Sequence, residues 1–106
     1  AEYNAIWKFT IEYLRDERNV HSFIYAFSPD GNQYNTKSEY LNIYPGDDFV
    51  DVFGIDYYFG EGTPAARDKL RDRLVHIVEY ADERDKLAAL TEFGDRLDWD
   101  DDDKIE

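Results

Sequence analysis

Cysteine and methionine are both absent from the 106 residues, and basic side chains are few: 12 Lys and Arg stand against 25 Asp and Glu. Without cysteine there are no disulfides and no thiolate metal sites, although that absence assigns no compartment. The formal net charge of −13 argues against a nucleic-acid partner, because phosphate backbones are bound by an excess of Lys and Arg. A neutral polymer or a small ligand stays open. No apolar run approaches the ~18 residues of a membrane span, and no signal-peptide pattern is present. The missing methionine, with an opening that goes straight into a helical pattern, leads us to expect a piece cut from a longer chain. A hydrophobic share of 42% with 17% aromatic residues is enough for the core of one domain.

Along the chain, helical and extended patterns alternate. Tyr3, Ile6, Trp7, Thr10, Ile11 and Leu14 recur at helical spacing, which predicts a helix over residues 2–18 that stops at Asn19. A near-continuous apolar run, His21 to Phe27, then predicts a strand over 22–28, ended by Ser28-Pro29-Asp30-Gly31. Thr36 and Glu39 have the spacing of a helix-capping pair, and Tyr44-Pro45-Gly46 breaks the short helix they start. A second strand is expected at 50–57. Gly60 to Gly62 form a loop, and Thr63-Pro64 opens a helix reaching about residue 84, with Leu70, Leu74, Ile77, Val78 and Ala81 on one face. Leu87 to Leu90 is the third strand. Strand starts about 30 residues apart match one βα unit, so the expected fold is α/β with three parallel, adjacent strands.

Each strand stops at polar or aromatic groups: Ser28-Pro29-Asp30, Asp56-Tyr57-Tyr58 and Thr91-Glu92-Phe93. On consecutive parallel strands these would share one rim, and strand ends are where α/β folds collect ligands. Carboxylates and aromatic rings together suit a sugar, whose ring stacks and whose hydroxyls bond. The plainer alternative is that a tyrosine at a strand end keeps its ring dry and its hydroxyl wet, and that Glu92 only terminates a strand.

The run Tyr44-Pro45-Gly46-Asp47-Asp48-Phe49-Val50-Asp51-Val52-Phe53-Gly54-Ile55-Asp56-Tyr57-Tyr58 resembles the Y-P-G-D-x-[FY]-V-D-x-x-G-x-D-x-Y signature of glycoside hydrolase family 26, mainly endo-β-1,4-mannanases. Residues 22–30 and the run Leu90-Thr91-Glu92-Phe93-Gly94 resemble the family's flanking strands. The resemblance implies a partial (β/α)8 TIM barrel, covering strands five to seven, over residues 1–94, followed by an acidic loop or tail at 95–106. It implies Glu92 as nucleophile and Tyr58 as the residue that orients it. Asp56, Tyr57, Phe93 and Trp99 are the candidate substrate contacts. It further implies a secreted or cell-surface enzyme acting on β-mannan without a cofactor. The family's acid/base glutamate lies in a Trp-Arg-Pro-x-His-Glu type of motif that is absent here, so the isolated chain is expected to be inactive.

Weaker signals stay structural. Asp30-Gly31-Asn32 opens like a calcium loop, but Tyr34, Asn35 and Leu41 occupy positions where ligands and the turn glycine belong, so no metal is expected. His21 and His76 have no second His or Cys close by. Asp100 to Lys104 matches the enteropeptidase recognition pattern and equally an acidic native loop. A barrel piece would leave Phe23, Tyr25, Phe27, Val50, Val52, Ile55 and Leu90 uncovered, so pairing with the missing barrel segments or self-association is expected. The rival readings are a non-catalytic α/β binding or scaffold module, and a family-like enzyme acting on mixed-linkage β-glucan or xylan.

Overall fold

The computed structural model describes residues 2–59 and 63–95. The elements run α1 (Glu2–Ile11), β1 (Ala26–Phe27), α2 (Lys37–Asn42), β2 (Val52–Phe59), α3 (Pro64–Glu83) and β3 (Leu87–Asp95). All strand pairs are parallel, in the order β1-β2-β3, which is the arrangement the alternating sequence pattern predicts.

The local reasons are mostly capping. Thr36 and Glu39 form the reciprocal capping box at the start of α2, each side chain reaching the other's backbone N–H. Thr63 accepts from the Ala66 N–H, with Pro64 in the first turn of α3. At the other end of α3, Lys86 N donates to Ala81 O and Asp85 N to Asp82 O, with Asp85 at φ 55°. That is the Schellman pattern, made here without a glycine. α1 continues into six residues of wider π-helical winding, Glu12–Glu17, and ends where Asn19 takes φ 54°. Gly46, at φ 116°, makes the turn into a single 3-10 turn, Asp47–Phe49, ahead of β2.

Two strands differ from expectation in length. The strand expected over 22–28 pairs only at Ala26 and Phe27. Pro29 has no N–H to give, so the ladder breaks there and resumes as a bridge between Asp30 and Asp56. Upstream, Asp51 takes over, its carboxylate accepting from Tyr25 N at 2.9 Å. β3, by contrast, continues to Asp95, so Glu92 and Phe93 lie inside the strand rather than at its exit.

The core is one aromatic layer between the sheet and the helices α2 and α3. Along β2, Phe53, Ile55 and Tyr57 alternate onto this face and are each at most 2% exposed. Tyr40 and Tyr80 stack on Phe53 at 6.1 Å, and Phe27 meets Tyr40 edge-on at 5.2 Å. Such pairs contribute about 0.5–1.5 kcal/mol beyond the area they bury. The Tyr40 hydroxyl donates to Gly54 O at 3.0 Å and that of Tyr80 to Lys37 O at 2.6 Å, so backbone carbonyls satisfy these two phenols. Phe27, Val50 and Ile55, expected to be left uncovered, are buried in this layer or beside it, because the chain's own helices cover it. Phe23 and Leu90 are indeed exposed, as are Ile6, Phe9, Ile24 and Leu87.

Candidate active site

Toward the C-terminal ends of the same three strands, the opposite face is polar. On β2 it carries Gly54, Asp56 and Tyr58, two residues apart and so on one side. From the neighbouring strand, Glu92 brings its carboxylate to Tyr58, whose Oη donates to Oε2 at 2.7 Å. Glu92's hydrogen bond, with desolvation and the charges of Glu92 and Asp56 acting in the same direction, holds the Tyr58 hydroxyl above the ordinary tyrosine value. The phenol therefore stays protonated, and a donor, at neutral pH.

Beneath this pair lies a second cluster. Asp56 Oδ1 accepts from Ser28 Oγ at 2.7 Å and from Thr91 Oγ1 at 2.6 Å. The two hydroxyls also touch each other. One carboxylate thus ties together residues carried at the ends of all three strands. Glycine makes the close approach possible: a Cβ on Gly54 would lie 2.9 Å from Ser28 Oγ and 3.0 Å from Thr91 Cγ2. A Cβ on Gly94 would lie 2.9 Å from the Tyr58 ring, which rests across β3 at that point. Ser28 and Thr91 were visible in the sequence only as rim residues. Nothing in their spacing showed that both point at Asp56.

Not every candidate joins the site. Tyr57 sits on the helix-facing side, 2% exposed, with its hydroxyl donating to Ala66 O at 3.2 Å. Alternation along β2 forces this: a strand that puts Asp56 and Tyr58 toward a ligand must turn Tyr57 away. The structure thus places Tyr57, a candidate substrate contact, on the face opposite Asp56 and Tyr58. Phe93 pairs with Tyr57 in the parallel register, on the side opposite Glu92, and is 56% exposed. It too is separated from the carboxylate by the sheet. Trp99 lies outside the described residues, as does the acidic stretch 96–106. Asp30, the head of the calcium-like run, accepts from Asn32 N at 2.9 Å and closes a local turn. Among the described residues no helix is long and apolar enough to cross a membrane.

What this arrangement can do chemically is limited and specific. It presents one carboxylate, fixed by a phenol donor, on an exposed strand segment beside a second carboxylate whose Oδ1 already accepts from hydroxyl donors. The first can act as a nucleophile or base toward a ligand above the sheet, and the second holds the strands.

The model of glycosyl hydrolase family 26 matches residues 1–103. A mannan endo-1,4-β-mannosidase of Bifidobacterium adolescentis is 36% identical over 98 residues, 89% of this chain and 10% of that protein. One from Bacillus subtilis is 35% identical over 57 residues, 54% of this chain and 15% of that protein. Among solved structures, GH26C of a Muricauda species superposes with a TM-score of 0.87 at 40% identity, covering 93% of this chain and 27% of that one. An endo-β-1,4-mannanase double mutant of Cellulomonas fimi gives 0.82 at 46% identity, covering 87% and 20%. The chain thus spans 10% and 15% of the two curated relatives' lengths. Its three parallel strands and their helices correspond to part of the family's (β/α)8 barrel. The chain belongs to glycosyl hydrolase family 26.

Proposed function

We propose that this chain carries the nucleophile of a retaining endo-β-1,4-mannanase, with Glu92 as nucleophile and Tyr58 as the group that orients it. The observation supporting this most directly is the 2.7 Å hydrogen bond from Tyr58 Oη to Glu92 Oε2. With Oε2 engaged, Oε1 is the oxygen offered to a sugar lying over the strand ends. In the first step Oε1 bonds to the anomeric carbon as the glycosidic C–O bond breaks, and the leaving oxygen takes a proton from a second carboxyl group. In the second step that group removes a proton from water, water attacks the same carbon, and Glu92 leaves with net retention.

The second carboxyl group has to stand roughly 5 Å from the first. The sequence holds no counterpart of the family's Trp-Arg-Pro-x-His-Glu motif, and Asp56 Oδ1 already accepts from two hydroxyls. The chain by itself is therefore expected to leave mannan intact. Mannan as the substrate is inferred from the mannan endo-1,4-β-mannosidases among the relatives. A polysaccharide cannot cross a membrane, so an enzyme with this substrate acts in the secreted or cell-surface space. The exposed side chains of Ile6, Phe9, Ile24 and Leu87 are the contacts that further barrel segments would cover, or that would make the lone chain self-associate.

The test is a complete barrel in which these residues replace the matching segment of the Cellulomonas fimi mannanase. Glu92→Gln should abolish turnover of mannan and of an activated aryl mannoside alike. Tyr58→Phe should cost about 10²-fold, the loss of one positioned polar contact. Full turnover by Glu92→Gln on both substrates would overturn the assignment.

A further inference from the structure

The pairing of β2 with β3 is one-to-one from Val52↔Leu87 to Ile55↔Leu90 and then slips, so that Asp56 pairs with Glu92 and Thr91 is left as an extra residue. Side chains alternate along a strand, and a slip of one residue moves every later side chain to the other face. Had the register continued unbroken, Thr91 would stand beside Asp56 and Glu92 beside Tyr57. Glu92 would then share the face that Tyr57 buries against α3. The bulge reverses this. It puts Thr91 and Glu92, adjacent in sequence, on the same side of the sheet, where one reaches Asp56 and the other Tyr58.

We propose that Thr91 is a positioning residue: its hydroxyl, gripped by Asp56 and seated against Ser28, locks the bulge that presents Glu92 to Tyr58. This rests on the reading of Glu92 as the nucleophile. Thr91 has one hydroxyl hydrogen and three acceptors in reach, Asp56 Oδ1 at 2.6 Å, Ile55 O at 3.0 Å and Ser28 Oγ. The carboxylate is the stronger acceptor and takes it. Asp56 and Ile55 are the β2 residues that flank the slip, so a bond to either of them fastens the extra residue at that point. Ser28 holds the same carboxylate oxygen with its own bond at 2.7 Å. Gly54 leaves the space in which the two hydroxyls meet. A bulge leaves its extra residue out of the ladder, and these side-chain bonds offset that loss.

The prediction can be read on the 106-residue chain without any catalysis. Tyrosine ring carbons are labelled with carbon-13, Tyr58 is assigned with Tyr58→Phe, and its ionisation is followed by NMR as pH is raised. In the unchanged chain Tyr58 should ionise above the ordinary phenol range. Thr91→Val, nearly the same shape without the hydroxyl, should bring it back toward that range. Thr91→Ser, which keeps the hydroxyl, should hold it up. A Tyr58 that ionises equally late in Thr91→Val overturns the proposal. Should the valine variant lose the folded spectrum, Thr91→Ala against Thr91→Ser decides in the same way, with late ionisation in the alanine variant the contrary result. Glu92→Gln in the complete barrel separates the two claims: full turnover there removes the catalytic reading and leaves the bulge result untouched.

Discussion

The two faces of β2 divide the work of the molecule. Toward α2 and α3 the strand presents Phe53, Ile55 and Tyr57, each at most 2% exposed, with Phe53 stacked on Tyr40 and Tyr80. Away from them it presents Gly54, Asp56 and Tyr58, polar or small, within reach of Ser28, Thr91 and Glu92. The difference arises from nothing more than alternation along six residues. One face supplies free energy of folding by burying apolar area, at about 25 cal/mol per Å². The other holds carboxylates and hydroxyls in a fixed geometry. Damage on the two sides should therefore look different: on one side stability falls, and on the other the site fails within an intact fold.

The largest stability effect is expected at Phe53, which is wholly buried and stacked on Tyr40, Tyr44 and Tyr80. Phe53→Ala should cost about 3–5 kcal/mol in denaturant unfolding, as large cavities in cores do. A loss below that of an exposed substitution would mean that the aromatic layer does not carry the fold.

Alkaline pH attacks the same face. Burial, the first cause for both, pushes the Tyr34 and Tyr40 hydroxyls well above the ordinary tyrosine value. A raised folded value means the native state keeps its proton when the unfolded chain has lost it. The stabilisation is complete below about pH 10 and is lost as pH rises beyond it, at about 1.4 kcal/mol per pH unit for each such phenol. Unfolding midpoints from pH 9 to 12 should show a plateau and then a decline, and a decline beginning near neutrality would contradict it.

Smaller still is Tyr40→Phe, which keeps the ring and removes the donor to Gly54 O. A loss of about 1 kcal/mol is expected, with a weaker decline above pH 10. Least affected should be the stability of Tyr58→Phe. Tyr58 is 56% exposed, so its unfolding midpoint should move by less than about 0.5 kcal/mol while the site loses its orienting donor. A large drop in stability would show that the phenol serves the fold as well as the carboxylate.

How much of this was legible depended on which physical rule applied. Caps are local, and Thr36 with Glu39, and Thr63 with Pro64, behave as their spacing predicts. Parallel order followed from helices alternating with apolar runs. The strand at 22–28 was over-read because a continuous apolar run shows hydrophobicity but not pairing, and Pro29 interrupts pairing regardless of its neighbours. Both Tyr57 and Tyr58 sit at the strand end, and only the structure shows that Tyr57 is the one facing in. The bulge at Thr91 had no signature at all. It arises from contacts with Asp56 and Ser28, respectively 35 and 63 residues away in the chain, and sequence periodicity carries no information about them.

The central claim is that the carboxylate on the polar face forms the covalent intermediate. It is tested most directly by trapping that intermediate in the complete barrel with a 2-deoxy-2-fluoromannosyl fluoride. Fluoride needs little help from an acid to leave, and the ring fluorine slows the second step. Intact-mass measurement and peptide mapping should find one added fluoromannosyl group, on the peptide containing Glu92, absent from Glu92→Gln. An adduct on any other carboxylate, or an undiminished one in Glu92→Gln, would contradict the account.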